Sequence, residues 1–258
     1  MTELDGYVGA AVALADVCRA MLRAAAAQSA AVELKPDRTF VTATDRAIEQ
    51  RLREAIAARF PHHGIWGEEF GRHQAGAEWQ WILDPIDGTA QFIAGIPVYA
   101  TLIALARGGV PVAGVMDFPA IDERWIGCSG APTRRNGEIC RTSGARDLAA
   151  AMMSTSSPDF YSEAERPALD ALRAATRWRI YGGAALSYGR LASGRTDLAC
   201  DASFQVYDFA CFRPIIEGAG GVVTDWEGRA LDLDSGTRVL AAATPDLHVA
   251  ARRLLSAR

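Results

Sequence analysis

The hexapeptide Asp84-Pro85-Ile86-Asp87-Gly88-Thr89 places two carboxylates three residues apart, directly behind an apolar run from Trp79 to Leu83. The run reads as a strand, and the Gly88-Thr89 pair is positioned to open a helix. Carboxylates at a strand end suit a hard divalent cation such as magnesium, which uses one or two of them and keeps waters and substrate phosphate in its shell. Asp84 and Asp87 are close enough for two neighbouring ions to share one of them, with the Ile86 carbonyl offered between. Such a pair of ions can activate a water and stabilise both the attacking and the leaving oxygen of an in-line displacement. The Gly88 and Thr89 amides, at a helix N-terminus, are placed to receive phosphate oxygens. This chemistry needs no histidine base, and His62, His63, His73 and His248 are spaced like loop and helix-face residues.

Acidic residues recur at three further places: Asp45 at a helix start, Glu68-Glu69 behind a strand, and Asp208 between Tyr207 and Phe209. Each alone has a plain structural reading. Asp-Pro and Asp-Gly are ordinary turn dipeptides, Asp45 serves as an N-cap, and Glu68-Glu69 serves as a solvated loop. Arg190 and Arg213, on predicted helices beside these motifs, read as solvated or salt-bridged faces, and Trp79 and Trp81 read as core.

The elements that must carry these groups follow from pattern and punctuation. Residues 5–28 repeat apolar side chains on a helical period, and a second helix runs from the Thr42, Thr44 and Asp45 capping residues to about Phe60. From Ile65 to Arg135 short strands dominate, with hairpin turns at Gly108-Gly109 and Asn136-Gly137, and the expectation is an antiparallel sheet. After about residue 145 strands and helices alternate, which indicates an α/β half. The chain thus divides softly into an α+β half, 1–142, and an α/β half, 143–258. At 258 residues it lies near the size at which a single core stops growing.

Half of the residues are hydrophobic and 22% are charged, which supplies a substantial core and argues against disorder. The formal charge of −4 offers no general attraction to nucleic acid or to an anionic membrane. The five cysteines are scattered without CxxC spacing and are expected to be reduced thiols in a cytoplasmic protein. Asp16, Arg19 and Arg23 interrupt the first apolar stretch, so no signal peptide is expected, and no apolar run reaches the ~18 residues that span a bilayer.

Taken in order, Lys35 with Val41-Thr42-Ala43-Thr44-Asp45, Gly67-Glu68-Glu69, Trp81-Ile82-Leu83-Asp84-Pro85-Ile86-Asp87-Gly88-Thr89, and Tyr207-Asp208 leading to Ala219-Gly220-Gly221 resemble the inositol monophosphatase superfamily. The resemblance implies a layered αβαβα sandwich, often a homodimer, that hydrolyses a small phosphate monoester with two or three magnesium ions. By the same resemblance Glu68, Asp84 and the Ile86 carbonyl hold one ion, and Asp84, Asp87 and Asp208 a second, with a third leaning on Glu68. Thr89, with Asp45 behind it, orients the attacking water, and Glu69 and Lys35 support the ligands from outside. Asp87, Gly183, Ala184 and Asp201 fall where the substrate is met.

Within the superfamily, Gly64 to Gly71, Lys35 to Thr39, Phe92 to Pro97, Tyr207 to Ala210 and Thr224 to Gly228 are most similar to bacterial histidinol-phosphate phosphatases. Those enzymes usually carry an aspartate where this chain has Ala184, and losing it removes a favourable charge from the place expected to meet a cationic amine. Gly183-Ala184-Ala185-Leu186 is instead similar to the inositol monophosphatase version, and Asp201 stands where both groups usually have a glutamate. Histidinol phosphate is therefore the first expectation for the substrate and inositol 1-phosphate the second. A broader sugar-phosphate or nucleotide phosphatase and a non-catalytic partner-binding homologue are the remaining alternatives.

Overall fold

A computed structural model describes residues 3–27, 32–34 and 40–255. Two helices come first, α1 (Glu3–Ala26) and α2 (Ala43–Arg59), with the short antiparallel pair β1 (Val32–Leu34) and β2 (Phe40–Thr42) between them. Strands β3 (Gly64–Gly67), β4 (Gly71–His73), β5 (Trp79–Asp87), β6 (Ala100–Arg107), β7 (Val110–Phe118), β8 (Glu123–Cys128), β9 (Ala131–Arg135) and β10 (Glu138–Ile139) follow, interrupted by α3 (Thr89–Ala94). They form one sheet in the order β10-β9-β8-β7-β6-β5-β3-β4. The remainder comprises β11 (Met152–Thr155), α4 (Arg166–Ala175), β12 (Trp178–Tyr181), α5 (Ala185–Ala192), β13 (Leu198–Asp201), α6 (Val206–Phe209), α7 (Phe212–Gly218), β14 (Val222–Thr224), β15 (Val239–Ala242) and α8 (Pro245–Leu255). Its sheet runs β12-β11-β13-β15-β14.

Strand periodicity sorts the side chains into layers, because successive residues face opposite sides. On β6, Ile103 and Leu105 join the core under α1 and α2, while Leu102, Ala104 and Ala106 join the core between the two sheets. The second of these cores is filled from α5, α6 and α7 by Tyr188, Phe209, Phe212 and Ile215. A third core lies where α4 and α8 cover the outer face of the five-stranded sheet, with Leu169, Leu172, Leu247 and Ala251 against Met153 and Leu240. The order is therefore helix, sheet, helix, sheet, helix, the αβαβα sandwich expected. Close approach at one point is a matter of size: a Cβ on Gly127 of β8 would lie 2.5 Å from the Ile215 backbone of α7.

The first sheet corrects the expectation of a wholly antiparallel one. β3 pairs with β5 in parallel, Gly67 opposite Leu83, while β5 to β10 pair antiparallel. The parallel pair carries Glu68 and Asp84 to the same end of neighbouring strands. Between Val206 and Gly218 the chain forms two short helices, α6 and α7, rather than one.

Candidate active site

Helix α2 begins with a capping box. Thr44 N donates to Thr42 Oγ1 (3.2 Å), and Thr42 N and Oγ1 both donate to Asp45 Oδ2, at 2.8 and 2.5 Å. Asp45 is thereby fixed and buried, with Oδ1 3.4 Å from the Thr89 hydroxyl. That hydroxyl also lies 3.0 Å from the Ile86 carbonyl oxygen, a second acceptor for its single proton. Thr89 opens α3 behind Gly88, whose φ of 78° is the left-handed turn that favours glycine.

β5 delivers both aspartates to one face by a bulge. Asp84 faces Leu102 and Asp87 faces Ala100, so three steps on β5 match two on β6. Residues three apart on a regular strand point to opposite faces; the extra residue brings Asp84 and Asp87 to the same one. Thr101 Oγ1 holds the bulge by donating to Pro85 O at 2.8 Å. Asp84 is only 1% exposed, and its Oδ1 is buried with no hydrogen-bond partner. Glu68, Asp87, Thr89 and Asp208 are half-buried at the same place. Burial, then the charges of Glu68, Asp87, Asp208 and Asp45, push the Asp84 carboxyl well above the ordinary range.

The later half of the chain closes the cleft. Asp208, in the first turn of α6, accepts from Gln205 N (2.7 Å), and burial, with Asp87 and Glu68 nearby, raises its pKa. Ala185 N, opening α5, donates to Asp87 Oδ2 at 2.9 Å. Burial nevertheless pushes the Asp87 carboxyl up to about 7, that amide offsetting it only in part. Ala184 and Gly183 line the turn before α5. Gln91 Nε2 reaches across from α3 to Gly182 O at 3.5 Å.

Asp201 differs from the substrate contact expected of it. It is fully buried: Oδ1 accepts from Thr155 Oγ1 (2.9 Å) and Ser156 N (2.6 Å), and Oδ2 from the Tyr188 hydroxyl (2.9 Å). One methylene shorter than glutamate, it is absorbed by β11 and α5 rather than projected into the cleft. Lys35 lies outside the described residues. Arg190 pairs with Glu123, and Arg213 with Glu217 and the Leu231 carbonyl, which matches the salt-bridged faces expected.

A buried acid beside the Glu68 turn escaped the sequence reading. Glu49, one turn beyond Asp45 on α2, accepts from Glu69 N (2.7 Å), Phe70 N (3.1 Å) and Arg53 Nε (2.7 Å). Its signal was an acid on the apolar face of Ile48, Leu52 and Ile56, where an unpaired charge is costly.

Among the described residues no three His, Cys, Asp or Glu side chains close into a metal cage. Magnesium does not require one, since it retains waters and phosphate around one or two carboxylates. The orphaned Asp84 oxygen, with the Glu68, Asp87 and Asp208 charges around it, is a donor set that fits such an ion.

The inositol monophosphatase family model matches residues 3–257. The chain belongs to the inositol monophosphatase family. With it, the chain belongs to the phosphoric monoester hydrolases. It is 37% identical over 256 residues to the bifunctional phosphatase IMPL2, chloroplastic, of Arabidopsis thaliana, covering 96% of this chain and 74% of that one. It is 37% identical over 213 residues to the histidinol-phosphatase of Mycobacterium tuberculosis, covering 77% and 79%. Among solved structures, an inositol monophosphatase from Zymomonas mobilis superposes with a TM-score of 0.90 at 33% identity, covering 99% of both chains.

Proposed function

We propose that this cleft hydrolyses a small phosphate monoester with magnesium, and that histidinol phosphate is the substrate. The observation that carries the chemistry is the buried, unpartnered Asp84 oxygen amid the Glu68, Asp87 and Asp208 charges, beside the Thr89 hydroxyl. Glu68, Asp84, Asp87, Asp208 and the Ile86 carbonyl are the groups that would hold two or three ions. When bound, such ions neutralise the phosphate and give water the acidity it needs to attack at neutral pH.

The chain's own residues do the rest. Gly88 and Thr89 amides receive phosphate oxygens. The Thr89 hydroxyl orients the water; as the water oxygen bonds to phosphorus and the ester P–O bond breaks, the water's proton passes to Thr89 and that of Thr89 to Asp45 Oδ1, and the leaving alcohol takes its proton from solvent. Asp45 is held for this by Thr42, which occupies its other oxygen. Glu69 supports the ligands from outside, and Asp87, Gly183 and Ala184 meet the alcohol.

Histidinol phosphate is favoured by the 37% identity to the mycobacterial histidinol-phosphatase. Inositol 1-phosphate is the second reading, because Ala184 carries no charge and Asp201 spends both oxygens on the protein, leaving neither to attract an amine. Five free cysteines support a reducing, cytoplasmic setting. No helix among the described residues is long and apolar enough to cross a membrane. The exposed side chains of edge strand β12 support a homodimer.

The deciding measurement is phosphate release from histidinol phosphate, inositol 1-phosphate, fructose 1,6-bisphosphate, glycerol phosphates and adenosine 3',5'-bisphosphate. A preference for histidinol phosphate is expected. Asp84→Asn should lower turnover at least about a hundredfold while raising the thermal midpoint of the metal-free protein, since it removes a carboxyl buried among other acids. Undiminished turnover in that variant would sink the metal mechanism.

A further inference from the structure

Glu49 is a buried carboxylate to which the reaction above gives no task. We infer that it is a positioning residue that sets divalent-cation affinity through the turn carrying Glu68, an inference that rests on the metal-site reading of the cleft. Asp45, Glu49 and Arg53 stand at i, i+4 and i+8 on α2 and share one face, rising ~6 Å per step. The first contacts Thr89, and the next two grip the β3–β4 turn.

The grip is complete along the backbone. Glu49 Oε2 accepts from Glu69 N (2.7 Å), Oε1 accepts from Phe70 N (3.1 Å), and Arg53, itself bonded to Glu49 through Nε, donates Nη2 to Gly71 O. On the other flank Glu68 N donates to Leu83 O (3.2 Å), the residue before Asp84. Glu68 is therefore pinned between β5 and α2. The space for this exists because β3 ends in glycine: a Cβ on Gly67 would lie 2.0 Å from Glu49 Oε1. A charged acceptor inside the protein orders two amides only while its own charge is matched, and Arg53 supplies the match. Releasing those amides frees the Glu68 carboxylate to move, and an ion bound through so few protein oxygens is sensitive to such a shift.

The test compares Glu49→Gln, Glu49→Ala and Gly67→Ala with the unaltered protein. Gln keeps the length but turns an amide NH2 toward one of the N–H donors; Ala at 67 expels the carboxylate from its place. Magnesium half-saturation of phosphate release and Mn2+ affinity of the metal-free protein, read by electron paramagnetic resonance, should both weaken about 10-fold in Glu49→Gln and about 10- to 100-fold in Glu49→Ala. Gly67→Ala should match the larger shift. Rates at saturating magnesium should recover in Glu49→Gln, with KM for the phosphate ester unchanged.

Wild-type Mn2+ affinity and magnesium dependence in both Glu49→Gln and Gly67→Ala, with only a lower Tm, would overturn the inference and leave Glu49 a fold-stabilising group. If Glu49→Ala does not fold, the other two variants decide. In the unaltered protein the Glu69 and Phe70 amides should exchange hydrogen more slowly than those of Ala75 and Gly76, and equal rates would overturn it independently. A wild type that releases phosphate from no ester removes the phosphatase reading, while the Mn2+ and exchange measurements still judge Glu49. A wild type that does release it, with unshifted variants, removes this inference alone.

Discussion

Ala184 adopts φ 43° and ψ −138°, a combination that disfavours any side chain. Strain of this kind costs about 1–3 kcal/mol and is found where a backbone group must be aimed. Here it turns the next amide, Ala185 N, onto Asp87. Position 184 is also where the alcohol of the substrate is met in the reading proposed, so a charge placed there should be felt. Ala184→Asp is expected to raise the ratio of kcat/KM for histidinol phosphate over inositol 1-phosphate about tenfold, ~1.4 kcal/mol. A ratio that does not move would place the amine elsewhere. At this scale the sequence was most informative where the groups share one short motif: Asp84, Asp87 and Thr89 could be read as a unit. Glu49 could not, because the partners that tie it to the Glu68 turn are backbone amides some twenty residues away, which have no side-chain identity to read. Asp201 was misjudged for a related reason, since Thr155, Ser156 and Tyr188 claim it only once β11, β13 and α5 are assembled.

The elements do the aiming. A bulge in β5, a capped first turn in α2 and a glycine at the mouth of α3 each rotate one functional group into the cleft. Helices, hairpin turns and most strands were readable from period and punctuation, and both Gly-containing hairpins occur where expected. The parallel pairing of β3 with β5 was not, because a four-residue strand has no pattern that records its neighbour's direction. Two predictions belong here. Gly127→Ala should destabilise the protein by about 1–3 kcal/mol in denaturant titration, since its methyl group would meet the backbone of α7 rather than a movable side chain. An unchanged midpoint would show that α7 yields. β12 pairs only with β11 among the described residues, and Trp178 on it is 64% exposed beside exposed Ile180 and Tyr181. An edge of this kind is normally covered, so the dimer proposed above should become a monomer in sedimentation equilibrium on Trp178→Glu. A dimer that survives the change would assign the contact to another face.

At the scale of the whole molecule the cleft collects four acids from across the fold, and their mutual repulsion is a load on the metal-free state. Burial raises the Asp87 carboxyl from 3.8 to about 7. The folded state then holds that proton more tightly than the unfolded chain, so the contribution to stability is full below about pH 4 and is lost as pH rises through about 7. Cations bind the deprotonated form. The rise in Tm produced by saturating magnesium should therefore be larger at about pH 8 than at about pH 5.5, and an equal rise would contradict the arrangement. His248, which burial and then Arg252 push down to about 4, acts in the opposite sense. Its contribution, present above its ordinary 6.5, fades as pH falls toward 4, but it lies on α8 in the outer layer and cancels from the difference between samples with and without metal. The division of the acids between the two halves also has a consequence for synthesis. Asp208 leaves the ribosome roughly 6–25 s after Asp84 at ordinary elongation rates. Through that interval the inner face of the first sheet, with Leu102, Met116, Phe118 and Trp125, lacks the three helices that cover it. A nascent chain at this stage already displays Glu68, Asp84 and Asp87 without the residue that completes the set. On the site proposed, activity therefore waits for the helix that carries Asp208, and that helix is one of the three that cover the apolar face of the first sheet.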